Sequence, residues 1–381
     1  MRFNHTDPKV LSVLVFAIFL VVRIAGSFAH LPSFTVYPDA YNAYVPAGVA
    51  YVNGALPDSV NPEHPPLAKY IIGLFTVYLG IPEVASLIFG LFCAVIVLYL
   101  TEALIGRVRW ALASVCILAF DQVNVSVSIY PMLEIFMLFF ALLATYLAIR
   151  VKSKWGFVIA GLCSGFALAS KWTAAFIILP VLLFIIIDRE RWQSLFYLGG
   201  MIIAYVLPYA GLIAAKGFTN LLELQLWMSQ FMFSMHGTNA VSVLTFINRA
   251  FPFLYLSNYD PLHPLAITPP GATYFSMVQG VNAIIASLIF PSYLLEIRKY
   301  VSDRSRVRLA LLLVASSLLL YQMLTINPSE SWLYGPIMTI TCVFTADLLN
   351  DLKDNGSWRK LSYLYLIAVA LWPVFVSLIK T

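Results

Sequence analysis

The chain has 381 residues, 61% of them hydrophobic and only 11% charged, with a formal net charge of +5. Soluble domains carry about 25% charged residues, so this composition excludes a water-soluble fold and leaves no broad basic surface for nucleic acid. Apolar runs long enough to cross a hydrocarbon core of about 30 Å recur from end to end, which reads as one all-α, polytopic membrane domain over residues 1–381.

In chain order, residues 1–9 are polar and 10–28 form a first span, retained because no small-residue cleavage site follows. A long polar segment rich in Tyr, Pro and Asn runs over 30–66. The apolar stretch 67–81 is only about 22 Å long as a helix, too short to cross, and is expected to lie along or re-enter the outer surface. Further spans are expected at 84–104, from 111, at 132–149, 156–170, 173–187 and 194–214. The third turns polar at Asp121, Gln122 and Asn124, so its outer half is expected to line a cavity. A second polar segment covers 216–270. Spans at 274–295, 309–326, 332–349 and 361–379 bring the total to about eleven, with outer loops at 29–83 and 215–273. The stretch 298–308 reads as a strongly basic connection.

Placing the amino terminus in the cytoplasm sorts the charges. Seventeen of the 23 Lys and Arg then fall on the inner side, leaving Arg23, Lys69, Lys171, Lys216, Arg249 and Lys380 outside. That is the positive-inside pattern, and a full span at 67–81 would invert it. Four of the five histidines lie outside, at 30, 64, 236 and 263. Chemistry is therefore expected at the extracytoplasmic boundary, in a plasma membrane. The inner loops read as short and without candidate chemistry. Cys93, Cys116, Cys163 and Cys342 sit in apolar runs without metal-ligand spacing and read as core residues.

The stretch Asn61-Pro62-Glu63-His64-Pro65-Pro66-Leu67-Ala68-Lys69-Tyr70 concentrates an acid, an imidazole and an ammonium. Two consecutive prolines fix φ and hold the preceding residues extended, giving a stiff elbow ahead of a helix start. Asp39, between Tyr37 and Tyr41, is a candidate base whose aromatic neighbours would desolvate it; a solvated loop aspartate is the plain alternative. Glu134, at the start of a span, is a functional candidate by location or a dipole-paired interfacial acid. Lys171, Arg249 and Arg23 are scarce outer cations, suited to a phosphate or to a neighbouring carboxylate. Trp227, Met228 and His236 lie on an amphipathic stretch that reads as a surface helix, and Glu330 on a turn. Asp39, Glu63 and His64 are the residues that could hold a divalent metal, although nothing requires one and no cofactor is expected. No GxGxxG, Walker loop, HExxH or Ser-His-Asp order occurs, and no internal repeat supports a secondary transporter.

Asp39, then His64-Pro-Pro-Leu67-Ala-Lys69, then Ser128-Ile-Tyr-Pro-Met-Leu-Glu134, then Gly165-Phe-Ala-Leu-Ala-Ser-Lys-Trp-Thr173, resemble the protein O-mannosyltransferase family in order and spacing. Trp227-Met228 with His236, and Ser331-Trp-Leu-Tyr-Gly-Pro336, are weaker echoes. The resemblance implies a glycosyltransferase-C fold in a minimal prokaryotic or archaeal form. It implies Asp39 as the catalytic carboxylate, Glu134 in place of the aspartate of the span-four motif, and His64, Lys69, Lys171, Trp172 and Arg249 around the donor phosphate and sugar. Glu63, His236 and Glu330 are then candidates near the acceptor. The implied activity is transfer of a hexose, mannose foremost, from a polyprenyl- or dolichyl-phosphate carrier to a protein Ser or Thr, a glycan or a lipid, with inversion. The chain departs from the family at Ala40, where a second acid is usual, and at Ile129 and Ser329 or Glu330, where arginines are usual. A non-catalytic relative that binds lipid phosphate or scaffolds a membrane complex is the second reading. Sugar, acceptor, polyprenol, metal dependence and oligomeric state are left open by the sequence.

Overall fold

A computed structural model describes residues 17, 21, 39–236, 255–257, 274–276, 283–325, 334–354 and 359–379. The expected first span falls almost wholly outside these residues, as do Arg249 and Glu330. The described chain is overwhelmingly helical.

A single π-type turn over Ala40–Tyr44 runs straight into α1, Val45–Val52. Pro65 and Pro66 precede α2, Leu67–Leu79, which stops where Gly80 turns left-handed at φ +71°. Its 13 residues give about 20 Å, matching the expected short helix. α1 and α2 meet backbone to backbone. A Cβ built on Gly73 would lie 2.1 Å from the Gly48 carbonyl oxygen, so only glycine permits this approach.

α3 spans Glu83–Ile105 and ends at Gly106, also left-handed. The expected third span is not one helix. It breaks into α4, Val108–Ala119, and α5, Gln122–Ile129, bent by 73°. The cause is local. The Asp121 carboxylate caps α5 by accepting from the Asn124 amide at 3.2 Å, so a new helix starts there. Asp121 and Asn124 are buried against protein, with the Asn124 amide bonded to Gly335 and its carbonyl accepting from Thr339.

α6, Leu133–Arg150, and α7, Lys154–Ser170, form an antiparallel pair. After a 3-10 turn at Trp172–Ala174, α8 covers Ala175–Asp188. α9, Arg191–Val206, passes through a second 3-10 turn into α10, Ala210–Lys216. α11 is Phe218–His236. The second outer segment also contains an antiparallel strand pair, β1 Tyr255–Ser257 and β2 Tyr274–Ser276. β2 therefore occupies the start of the expected eighth span, and the helix beyond it, α12, runs Ile289–Asp303 into the charged stretch. α13 is Arg306–Thr325, α14 Gly335–Asp354 and α15 Arg359–Ile379.

Among the described residues, Glu83–Ile105, Leu133–Arg150, Arg191–Lys216 and Arg306–Met323 are long and apolar enough to cross a membrane, and the bent α4–α5 pair would make a fifth. Several other expected spans are shorter apolar helices. The protein is an integral membrane protein. α6 is buried on nearly all sides, whereas α8 and α9 turn Leu179, Leu183, Ile186, Leu195, Ile202 and Ile203 outward, the pattern of lipid-facing helices around a buried one.

The stretch expected on the inner side is more than a basic connection. The basic stretch 298–308 is mostly helical, and Arg308 is buried. It meets Glu296, Asp347 at 3.0 Å and Asp303 at 3.1 Å, while Lys299 meets Asp347 at 2.7 Å and Asp351 at 2.6 Å. These ion pairs lock α12, α13 and α14 together. All four cysteines are free, three of them buried.

Candidate active site

Two antiparallel helices of 18 and 17 residues, joined by a turn at 151–153, bring the start of α6 beside the end of α7. Glu134 sits in the first turn of α6 and Lys171 caps α7. Each stands at the helix terminus whose dipole favours its charge. They form an ion pair in which both side chains are at most 5% exposed. One Glu134 oxygen binds Lys171, while the other, Oε2, is buried without a hydrogen-bond partner.

Asp39 heads the π-type turn. It is exposed, and its carboxylate makes no capping bond. Partial desolvation by the groups around it raises its pKa, Glu134 and Glu63 raise it further, and Lys171 opposes them. Four charged residues from four separate elements therefore act on one another at one corner of the molecule. These are Asp39 ahead of α1, Glu63 on the elbow, Glu134 on α6 and Lys171 after α7. His64 joins the same corner, its ring edge-on to Tyr44 with centroids 5.9 Å apart.

The elbow explains Lys69. Asn61 adopts φ +45°, unusual for a residue with a side chain. The fully buried Lys69 ammonium donates to the Asn61 carbonyl and, at 2.8 Å, to the His64 carbonyl. The Tyr51 hydroxyl donates to the Val60 carbonyl, and the Asn61 amide to Glu63. Burial pushes the Lys69 ammonium down to about 7, with Glu63 pulling the other way. Lys69 thus holds the elbow closed with its own ammonium, beside the His64 that the resemblance also sets around the donor.

Trp172 points elsewhere too. Its indole N–H donates to Tyr205 at 3.2 Å, and Tyr205 in turn donates to Gln225 on α11. Ile129, standing where the family usually has arginine, is buried in the core. His236 ends α11, and nothing describes its side chain. Among the described residues no group of three His, Cys, Asp or Glu is placed to hold a metal ion.

Tyr51, Tyr205 and Gln225 were not singled out from sequence. Gln225 did carry a signal. It shares a stripe with Leu221, Leu224 and Met228, and a polar side chain on the buried face of a helix asks for a partner.

Residues 63–211 match the family model described as dolichyl-phosphate-mannose-protein mannosyltransferase. This stretch contains the elbow, Glu134 and Lys171. No curated protein matches the sequence. Solved structures agree on architecture. Archaeal oligosaccharyltransferase AglB from Archaeoglobus fulgidus, in complex with an inhibitory peptide and a dolichol-phosphate, aligns over 95% of this chain and 54% of its own, at 12% identity and a TM-score of 0.57. ArnT from Cupriavidus metallidurans, bound to undecaprenyl phosphate, aligns over 91% of this chain and 62% of its own, at 13% identity and a TM-score of 0.61. The chain has the glycosyltransferase-C-type fold. It spans a little over half the length of the AglB chain and about three-fifths of ArnT.

Proposed function

We propose that the protein is a membrane glycosyltransferase that moves a hexose, mannose foremost, from a polyprenyl- or dolichyl-phosphate carrier to an acceptor hydroxyl on the extracytoplasmic face. The acceptor is a protein Ser or Thr, or a hydroxyl of a glycan or lipid. The family match over 63–211 supports the reaction class, and both solved relatives described above were crystallised or imaged with a lipid phosphate. The observation that carries the reading is Asp39, an uncapped carboxylate inside the field of the buried Glu134–Lys171 pair.

The chemistry follows from these groups. A sugar on a lipid phosphate already carries a good leaving group. The acceptor oxygen attacks the anomeric carbon as the bond from that carbon to the phosphate oxygen breaks, which inverts the configuration. Asp39 takes the hydroxyl proton, and the departing phosphate carries the negative charge. Lys171 is the described cation nearest this chemistry, and it would leave Glu134 for the phosphate.

The second reading, a lipid-phosphate-binding relative without catalysis, draws on Ile129, a buried apolar residue where the family usually has a cation. The test is transfer of labelled mannose from synthetic polyprenyl-phosphate-mannose to membrane acceptors by purified protein. We expect activity in the wild type and its loss in folded Asp39→Asn. Donor binding without transfer in the wild type would favour the second reading.

A further inference from the structure

Behind Lys171 lies a second apolar cluster, separate from the main core. It is built around Tyr209, Leu224 and Met228, with Leu56 of the first outer segment and Trp172 packed against it. A polar chain crosses it, from Trp172 through Tyr205 to Gln225, with the Tyr209 hydroxyl beside both Tyr205 and Gln225. Its direction is fixed by chemistry. An indole N–H can only donate, so Tyr205 accepts from Trp172 and sends its single proton on to the Gln225 oxygen. The three links stand on three elements: the turn after α7, α9 and α11.

Lys171 is a one-residue joint. Its backbone is extended, at φ −158° and ψ 136°, between the last turn of α7 and the 3-10 turn that starts at Trp172. The α7 side is fixed, since the Lys171 amide donates to Ala167 at 3.0 Å. On the other side the Lys171 carbonyl accepts from the Ala174 amide at 3.1 Å, and the Trp172 indole is held by packing against the cluster and oriented by its bond to Tyr205. The end of α10 and the first outer segment ahead of the elbow are also drawn together, by Leu56 in the cluster and by Lys216–Asp58 at 2.5 Å.

We propose that Gln225, acting through Tyr205 and Trp172, positions the Lys171 ammonium for the carrier phosphate. Gln225, Tyr205 and Trp172 are then positioning residues, and α11 is coupled to donor binding although it lies one cluster away. This rests on the reading of Lys171 as the phosphate cation.

The test uses the full chain in nanodiscs with polyprenyl-phosphate-mannose as donor, taking donor KM and kcat separately. Gln225→Leu should raise donor KM about fivefold, the worth of one hydrogen bond, and Tyr205→Phe, which loses two, by at least as much, with kcat held within about twofold in both. Gln225→Glu keeps the acceptor oxygen and should restore the wild-type KM. The decisive arm is Kd for polyprenyl phosphate in a Lys171→Ala background, where Gln225→Leu should add nothing. An equal loss with and without Lys171 would overturn the relay, as would an unchanged KM in folded Gln225→Leu and Tyr205→Phe. A wild type that neither binds polyprenyl phosphate nor transfers from this donor would overturn the underlying reading, and the relay with it. An active wild type with indifferent variants would sink the relay alone.

Discussion

At the residue scale, the site is a problem of three acids and one cation. Asp39 is held above the ordinary aspartate range first by burial, then by Glu134, with Glu63 adding to both and Lys171 opposing. A general base works only when ionised, so kcat/KM should rise with pH through this raised pKa, and the acid limb should lie above about pH 4. Glu134→Gln removes a charge that raises Asp39 and leaves the Lys171 cation facing a neutral partner. Both changes favour the ionised carboxylate, so the limb should move to lower pH. Glu63→Gln should move it the same way, by less. A limb that stays put in both variants would show that some other group titrates. The Glu134–Lys171 pair makes a separate prediction. Removing one partner strands a buried charge, so Lys171→Met or Glu134→Leu should each cost about 3–5 kcal/mol in denaturation in detergent. The double variant should recover most of that stability. Transfer should not recover with it, because the phosphate still lacks its cation, and recovered transfer would reduce the pair to a structural role.

At the scale of elements, the position of Lys171 depends on how α7 meets α9. Cβ atoms built on Gly161, Gly165 and Gly200 would lie 2.0, 2.2 and 2.4 Å from carbonyl oxygens of the facing helix. Backbone cannot swing aside, so these helices touch only because the three residues lack side chains. Gly161→Ala should therefore cost about 1–3 kcal/mol in thermal or chemical denaturation. Gly199→Ala, where a Cβ meets nothing within 4 Å, should stay within about 0.5 kcal/mol and serves as the control. Equal effects at both positions would mean that α7 and α9 do not cross this closely. Gly165 belongs to the same stretch as Ser170-Lys171-Trp172-Thr173, so part of what makes that motif legible is packing. Most helix positions were readable because apolar runs and their polar ends mark where chain can and cannot sit in lipid. The break at Asp121 was masked by the apolar run around it, although Asp is a favoured residue at the start of a helix. The roles of Lys69 and Trp172 were not readable at all. Their partners are backbone carbonyls and a tyrosine brought together only by the folded elbow and the α7–α9 crossing.

At the scale of the whole molecule, the positive-inside pattern and the ion-pair architecture have to agree. The sequence places 298–308 inside because it is basic. In the structure this stretch carries a buried lock, in which Arg308 and Lys299 tie α12 and α13 to Asp347 on α14. Burying Arg308 takes it out of the pool of loop cations, yet Arg298, Arg304 and Arg306 remain near the helix ends, so the orientation signal survives. The Asp39 corner is then expected on the opposite side. Ser59 and Ser302 are both exposed and lie on the two predicted faces. In a background with the four cysteines replaced, Ser59→Cys should react with a membrane-impermeant maleimide on intact cells. Ser302→Cys should react only after the cells are opened. The reverse pattern would put the carboxylates in the cytoplasm, where a lipid-linked donor consumed on the outer face could not reach them. Labelling of both sites from outside would mean that an even number of crossings lies between them, not the odd number assigned. Residues 67–79 would then be the first place to look, because a full crossing there reverses every loop after it.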